Sequence, residues 1–206
     1  PSGKAGISID ASTRGSFTLR NLMVRKNGFG IVVKNSRNGA VILERNLIAE
    51  NIYDGIAGNT IGSPEIRMVN NTIARNGQSG YADGAAGGSR IFKNNIIAQN
   101  GWYGVFPHEG SGRFMSYNDV WGNTRGNYFH SAGTSSQVAV FTPSPGIGEL
   151  SLDPQFVDAT SSDYHLKSTS PAIDAGDPDP FLPRDPDGSR LDMGAYPYVR
   201  PAVTPP

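Results

Sequence analysis

Apolar and polar positions alternate with a period of two over short stretches, each broken after a few residues by Asn or Gly, and the whole arrangement then recurs. The stretch Ile66-Arg67-Met68-Val69-Asn70-Asn71-Thr72-Ile73-Ala74-Arg75-Asn76-Gly77 returns as Ile91-Phe92-Lys93-Asn94-Asn95-Ile96-Ile97-Ala98-Gln99-Asn100-Gly101. The same pattern sets its second asparagine at Asn21, Asn46, Asn71, Asn95 and Asn118, in steps of 25, 25, 24 and 23 residues. Three period-two segments per repeat are too interrupted for helices and too few for a propeller blade of four strands. Three strands per coil predict an all-β parallel β-helix, in which each strand pairs with its equivalent one coil away. Alternate side chains then point into a shared tubular core. Ile31, Ile56 and Val105 are expected to stack as one inward column, interrupted by Tyr81, and Val24, Ile48, Ile73, Ile97 and Val120 as another.

The repeated asparagines suit left-handed turn geometry and can pass side-chain amide hydrogen bonds from coil to coil. The first repeat carries one extra residue before its Asn27-Gly28 turn, Pro1 to Ser16 reads as an incomplete first coil, and the repeat around Asn118 reads as the last. About five or six coils are expected. The predicted organisation is β-helix repeats over residues 1–130, a connecting loop and capping module over 131–199, and a proline-rich linker over 200–206 that leads toward a further domain or an anchor. The module is expected to cover the open end of the tube, since exposed coil ends need a cap.

Composition adds exclusions. The chain of 206 residues has no cysteine, hence no disulfide or thiolate chemistry. No apolar run is long enough to span a bilayer, and no signal peptide is recognisable. Net charge is zero, but Lys and Arg outnumber Asp and Glu by 14 to 8 up to His130 and fall behind by 4 to 10 from Ser131 onward. Opposite halves argue against a uniform nucleic-acid binder and suggest either that the two parts attract each other or that the body suits a polyanion.

The repeat Asn-Asn-x-Ile-Ala-x-Asn-Gly-x-x-Gly-Val resembles the right-handed parallel β-helix repeats of pectate-lyase-like proteins over Phe17 to Phe129. The segments Asp153-Pro154-Gln155-Phe156, Asp163-Tyr164-His165-Leu166, Ser170-Pro171-Ala172-Ile173-Asp174-Ala175-Gly176 and Asp185-Pro186-Asp187-Gly188-Ser189-Arg190-Leu191-Asp192-Met193-Gly194-Ala195-Tyr196 resemble the carboxy-terminal module of bacterial surface or secreted β-helix proteins. The resemblance implies an extracellular or cell-surface bacterial protein associated with polysaccharide binding or cleavage.

Aligning the long turns after Gly30-Ile31, Gly55-Ile56, Gly80-Tyr81 and Gly104-Val105 brings Lys34, Asn59, Asp83, His108 and Glu109 to one edge, flanked by Tyr53, Asp54, Trp102 and Tyr103. Exposed aromatics beside acids and amides suit a sugar ring; the competing expectation is that Trp102 and Tyr103 cover the core. The catalytic candidates are His108, Glu109, Asp83, Tyr103 and Lys34, and the substrate-binding candidates Trp102, Tyr103, Tyr53, Asp54 and Asn59. A uronate lyase or epimerase would need a cation on the sugar carboxylate and a base, for which Lys34, Lys93, Arg113 and His108 are available. Tyr103-Gly104-Val105-Phe106-Pro107-His108 resembles the Tyr-Gly-Phe-Asp-Pro-His motif of mannuronan epimerases, with Phe106 where that family has aspartate. A glycoside hydrolase would use two carboxyls, for which Asp83 and Glu109 are placed. The alternative to all of these is a noncatalytic stalk or adhesin module. Asp185-x-Asp187-Gly188, with Asp192 beyond it, resembles a calcium loop lacking its closing glutamate, so Ca²⁺ is the one candidate cofactor; Asp-Pro and Asp-Gly pairs also make turns without metal.

Overall fold

The structure is a computed structural model describing residues 3–10, 15–34, 39–59, 65–84, 88–106, 112–131, 138–139 and 146–200. Short strands stack coil upon coil into three parallel sheets around one core. The first sheet contains Ala5–Asp10, Phe29–Lys34, Ile56–Asn59, Tyr81–Asp83, Tyr103–Phe106 and Gly126–Tyr128. The second contains Phe17–Arg20, Ala40–Glu44, Glu65–Val69, Ser89–Lys93 and Gly112–Ser116, and the third Met23–Arg25, Leu47–Ala49, Thr72–Ala74, Ile96–Ala98 and Asp119–Trp121. Five strands in the second and third sheets make four coil-to-coil steps, slightly fewer than expected; the first and last strands of the first sheet belong to partial coils.

Both predicted columns exist. Ile31, Ile56, Tyr81 and Val105 lie in register in the first sheet and Val24, Ile48, Ile73, Ile97 and Val120 in the third, all buried. Tyr81 continues its column, its ring edge-on to Phe92 at 5.2 Å. Glycine recurs at 30, 55, 80 and 104 because the coils approach too closely there for a Cβ. A Cβ at Gly55 would lie 2.8 Å from the Gly80 carbonyl oxygen, and one at Gly104 2.6 Å from that of Asn127.

Two asparagine ladders run through the turns on either side of the third sheet. In the first, the side-chain oxygen of Asn71 accepts both the backbone and the side-chain N–H of Asn46 at 3.0 Å, and Asn95 and Asn118 repeat the bond one and two coils on. In the second, Asn51, Asn76, Asn100 and Asn123 each accept from the asparagine one coil before, beginning with Asn27. The first ladder corrects the sequence alignment. Asn46 accepts from the backbone of Leu22, so Leu22 holds the ladder position in the first coil and no extra residue precedes Asn27. Asn21 instead aligns with Arg45, Asn70, Asn94 and Tyr117, all at positive φ between 52° and 57°. The left-handed turn residue is thus the one before the ladder asparagine, and Asn21 serves there because its short amide tolerates that conformation.

Both ladders end in residues of the chain that follows. Glu149 Oε1 accepts from the Asn118 backbone and side-chain N–H at 3.1 and 2.7 Å, standing where the next asparagine would be. Asn123 donates to Asn127, which donates to Ser151. Beside them Asp119 is fully buried, accepting from the Leu152 amide through one oxygen and left without a partner on the other. Burial, with the charges of Asp153 and Glu149, pushes its carboxyl up to about 7. A carboxyl whose pKa rises on folding stabilises the folded state fully below its unfolded pKa of about 4 and loses that contribution as pH rises through about 7. We expect stability to fall across this window by up to about 4 kcal/mol from this group. Asp119→Asn should flatten the profile in urea titrations from pH 4 to 8, and an unchanged slope would remove Asp119 as its source.

The rest of the carboxy-terminal module does not sit on the end of the tube as expected; it lies along the flank, on the outward face of the third sheet. Phe156, Tyr164, Leu166, Ala172 and Met193 pack on Leu47, Ala49, Ala74, Ile96 and Ala98. The repeated alanines leave the room for this contact, and Trp121 replaces them in the last coil. Gly194 donates to the Asn94 carbonyl at φ +96°, where a Cβ would meet Ile96 Cδ1 at 2.8 Å. The turn column joins in: Asn70 donates to the Asp192 carbonyl at 2.8 Å, Asn94 accepts from the Asp177 amide at 2.8 Å, and Arg190 lies over the Tyr117 ring. Lys93 pairs with Asp177 and Arg45 approaches Asp185, so opposite charges do draw the two parts together.

Candidate functional site

The long turns that follow the first-sheet strands, where the sequence sets the edge, lie largely outside the described residues; the flank of that edge, before the strands, is the turn leading from the second ladder into the first sheet. Two residues after each ladder asparagine stand Tyr53, Gln78, Trp102 and Arg125. Their backbones are linked in series: Gln78 N–H donates to Tyr53, Trp102 to Gln78 and Arg125 to Trp102, at 3.2, 3.0 and 2.8 Å. A ring, an amide, a ring and a guanidinium therefore follow one another along the outside at the coil spacing of about 4.8 Å. Tyr53, Gln78 and Trp102 are half-buried and Arg125 is exposed. Tyr53 packs against Phe29 at 4.8 Å, and the Arg125 guanidinium lies 4.3 Å over the Trp102 ring, so both rings are held in place. Sequence reasoning did not single out Gln78 and Arg125, although each stands two residues after its ladder asparagine, Asn76 or Asn123.

Beside this column the outward positions of the first sheet run Val32, Ala57, Ala82 and Phe106. The two alanines make a low step that ends against Phe106, which stacks on Phe129 at 4.2 Å. Tyr103 is buried to 9 % exposure against both phenylalanines, at 5.7 and 5.0 Å. It covers the core at this end, which is the competing expectation, and its ring is not an open platform for a sugar. Trp102, one residue earlier, faces the other way.

Two predicted acids are turned away from the edge. Asp54 is buried and accepts the Ser79 amide at 2.8 Å; burial pushes its carboxyl up against that hydrogen bond. Asp83 aligns with Gly58 and Val33, whereas Asn59 aligns with exposed Lys34. A shift of one residue reverses the face of a strand, so Asp83 points into the tube. There Arg90, itself fully buried, donates from Nε to Asp83 at 2.7 Å and to the Tyr81 hydroxyl at 2.8 Å. Burial and the Asp83 charge hold the Tyr81 hydroxyl far above its usual pKa, so it stays protonated. The space for this cluster comes from Gly58, where a Cβ would lie 2.9 Å from the Asp83 carboxylate. Asp83 is therefore unsuited to the paired-carboxyl role with Glu109. His108 and Glu109 lie outside the described residues, as do the side chains of Asn59 and Arg113.

Asp185, Asp187 and Asp192 are occupied by amides. Asp185 accepts the Asp192 amide at 2.6 Å; Asp192 accepts those of Asp174 and Tyr198; Asp187 accepts that of Ser189 and pairs with Arg200. The Asp187 bond is the turn that Asp-Gly makes on its own, and the Asp185 and Asp192 bonds tie distant parts of the module together. Among the described residues no three acidic or histidine side chains converge as a metal site. No helix among them is long and apolar enough to cross a membrane.

A family model described as a right handed beta helix region matches residues 5–96. With three parallel sheets stacked coil on coil, this makes the chain an all-β, right-handed parallel β-helix solenoid. No curated protein matches the chain, and no solved structure does.

Proposed function

We propose that this is an extracellular or cell-surface protein that binds a polysaccharide along the edge formed by Tyr53, Gln78, Trp102 and Arg125, in the manner of the pectate-lyase-like and bacterial surface proteins its repeats and module resemble. The observation that carries this reading is the ordered series of ring, amide, ring and guanidinium at coil spacing. A glycan laid along the coils would set C–H faces on Trp102 and Tyr53 and hydroxyls on Gln78. Arg125, with exposed Lys34 across the low step of Ala57 and Ala82, favours a chain bearing carboxylates, hence uronate residues. Binding is favoured over catalysis because Asp83 and Asp54 are buried and engaged within the fold.

The test is titration of a panel of uronate and neutral polysaccharides in D₂O, with and without Ca²⁺, following affinity, chain length and deuterium at the sugar C5. Trp102→Ala should weaken uronate binding about tenfold, or about 1.4 kcal/mol, with only a small loss of stability, since its contact with Arg125 is worth about 0.5–1 kcal/mol. Undiminished binding in that variant would sink the site. Exchange at C5 or chain cleavage would make the protein a lyase, epimerase or hydrolase instead. A second reading, a noncatalytic stalk, is favoured by the two ladders that run through every complete coil; silence across the panel would select it.

A further inference from the structure

A second concave surface lies at the other end of the third sheet, where the loop Asp177 to Arg184 of the module overhangs the turn column. This groove, of about 210 Å³, is lined by Val69, Asn70, Lys93, Arg45, Leu182 and Leu191, among others. Its floor crosses three coils at the same two positions, 44–45, 69–70 and 93–94, and its opposite wall is apolar.

The overhanging loop is fixed at its start and within itself. Asp177 pairs with Lys93 and its amide donates to Asn94. Asp177 then accepts from Asp179, Asp179 accepts from Phe181, and the Leu182 amide closes the turn on the Asp179 carbonyl at 3.1 Å. Leu182 turns into the groove while Phe181, beside it, is 94 % exposed. An aromatic ring presented to water on a hydrogen-bonded loop, next to a groove with an apolar wall and polar floor, has the elements of a saccharide site. Two cations give it a charge preference. Arg45 reaches Asp185 only at 3.9 Å, beyond hydrogen-bond distance, and Lys93, about one-third exposed, gives Asp177 one of three donors. Both keep N–H groups for a ligand carboxylate beside Asp185 and Asp177, and Glu44, the one acid among the lining residues, is bound to Arg20.

We propose that this groove is a second carbohydrate site that takes an acidic sugar, its ring against Phe181 and Leu182 and its carboxylate toward Lys93 and Arg45. The ligand class rests on the glycan reading of the whole protein, but the site stands on separate residues and fails separately.

The test is a backbone-amide NMR titration of the full chain with a trisaccharide of 1,4-linked uronic acids and, in parallel, a neutral trisaccharide of the same linkage. The acidic probe should shift the amides of Val69, Asn70, Asn94 and Leu191 and bind at least tenfold more tightly than the neutral one. Phe181→Ala, at a position that packs on nothing, should weaken that binding at least tenfold with the fold unchanged, whereas Trp102→Ala should leave it intact. Shifts confined to Tyr53, Gln78 and Trp102 would overturn this site and leave the edge standing; shifts confined to the groove would do the reverse. Equal binding of the two probes, indifference to Phe181→Ala, or no shift with either probe would each overturn the proposal.

Discussion

Asn95→Ala should destabilise the protein by about 3–5 kcal/mol, measured by urea unfolding, although it removes no apolar contact. The Asn95 side chain accepts twice from Asn71 and donates to Asn118 and to the Met68 carbonyl, all in the buried turn. Truncation leaves those groups without partners, and each buried polar group so stranded costs about 1–3 kcal/mol, partly recovered if water enters. The same change at Asn21 should cost less, about 1–2 kcal/mol, the strain of an alanine in the left-handed conformation, because Asn21 (φ 57°) stands outside the ladder and at an exposed turn. Equal losses at the two positions would refute the assignment of Leu22 to the ladder register.

Arg90→Met should be comparably damaging, by about 3–5 kcal/mol, because it strands the Asp83 carboxylate inside the tube. Its distinguishing feature is rescue. An apolar pair of similar volume often matches or exceeds a buried ion pair, so Arg90→Met with Asp83→Leu should recover most of the loss. If the double variant is as unstable as the single, volume and not charge limits the site. Retained glycan binding in the double variant would also separate Asp83 from the function of the edge.

The architecture was open to sequence reasoning because turn chemistry and core packing both repeat with the coil. Val24, Ile48, Ile73, Ile97 and Val120 recur at the coil spacing, and they stack. Errors arose where one residue decides a direction. Asn70-Asn71 and Asn94-Asn95 contain both a turn and a ladder asparagine, whereas the first coil has one alone, and the left-handed position claimed it. Asp83 stands two residues beyond Tyr81, while Lys34 stands three beyond Ile31; the pleat sends the first inward and the second out. The location of the module was hidden for a different reason. Ala49, Ala74 and Ala98 are small whether they face the core or a docked partner, and only the parity of their strands shows that they face outward.

The flank-lying module changes how the solenoid comes apart. In a simple repeat array each coil touches only its neighbours, so the ends fray independently. Here Tyr164 reaches Glu50, Ala195 reaches Thr72, Gly194 reaches Asn94 and Leu150 reaches Asn118, so one segment splints four successive coils. Length is thereby fixed as well: a duplicated coil inserted between Asn51 and Asn95 would displace these anchor points by about 4.8 Å. Duplication ahead of the splinted coils would disturb none of them, which leaves the amino-terminal side as the direction in which such a protein can grow.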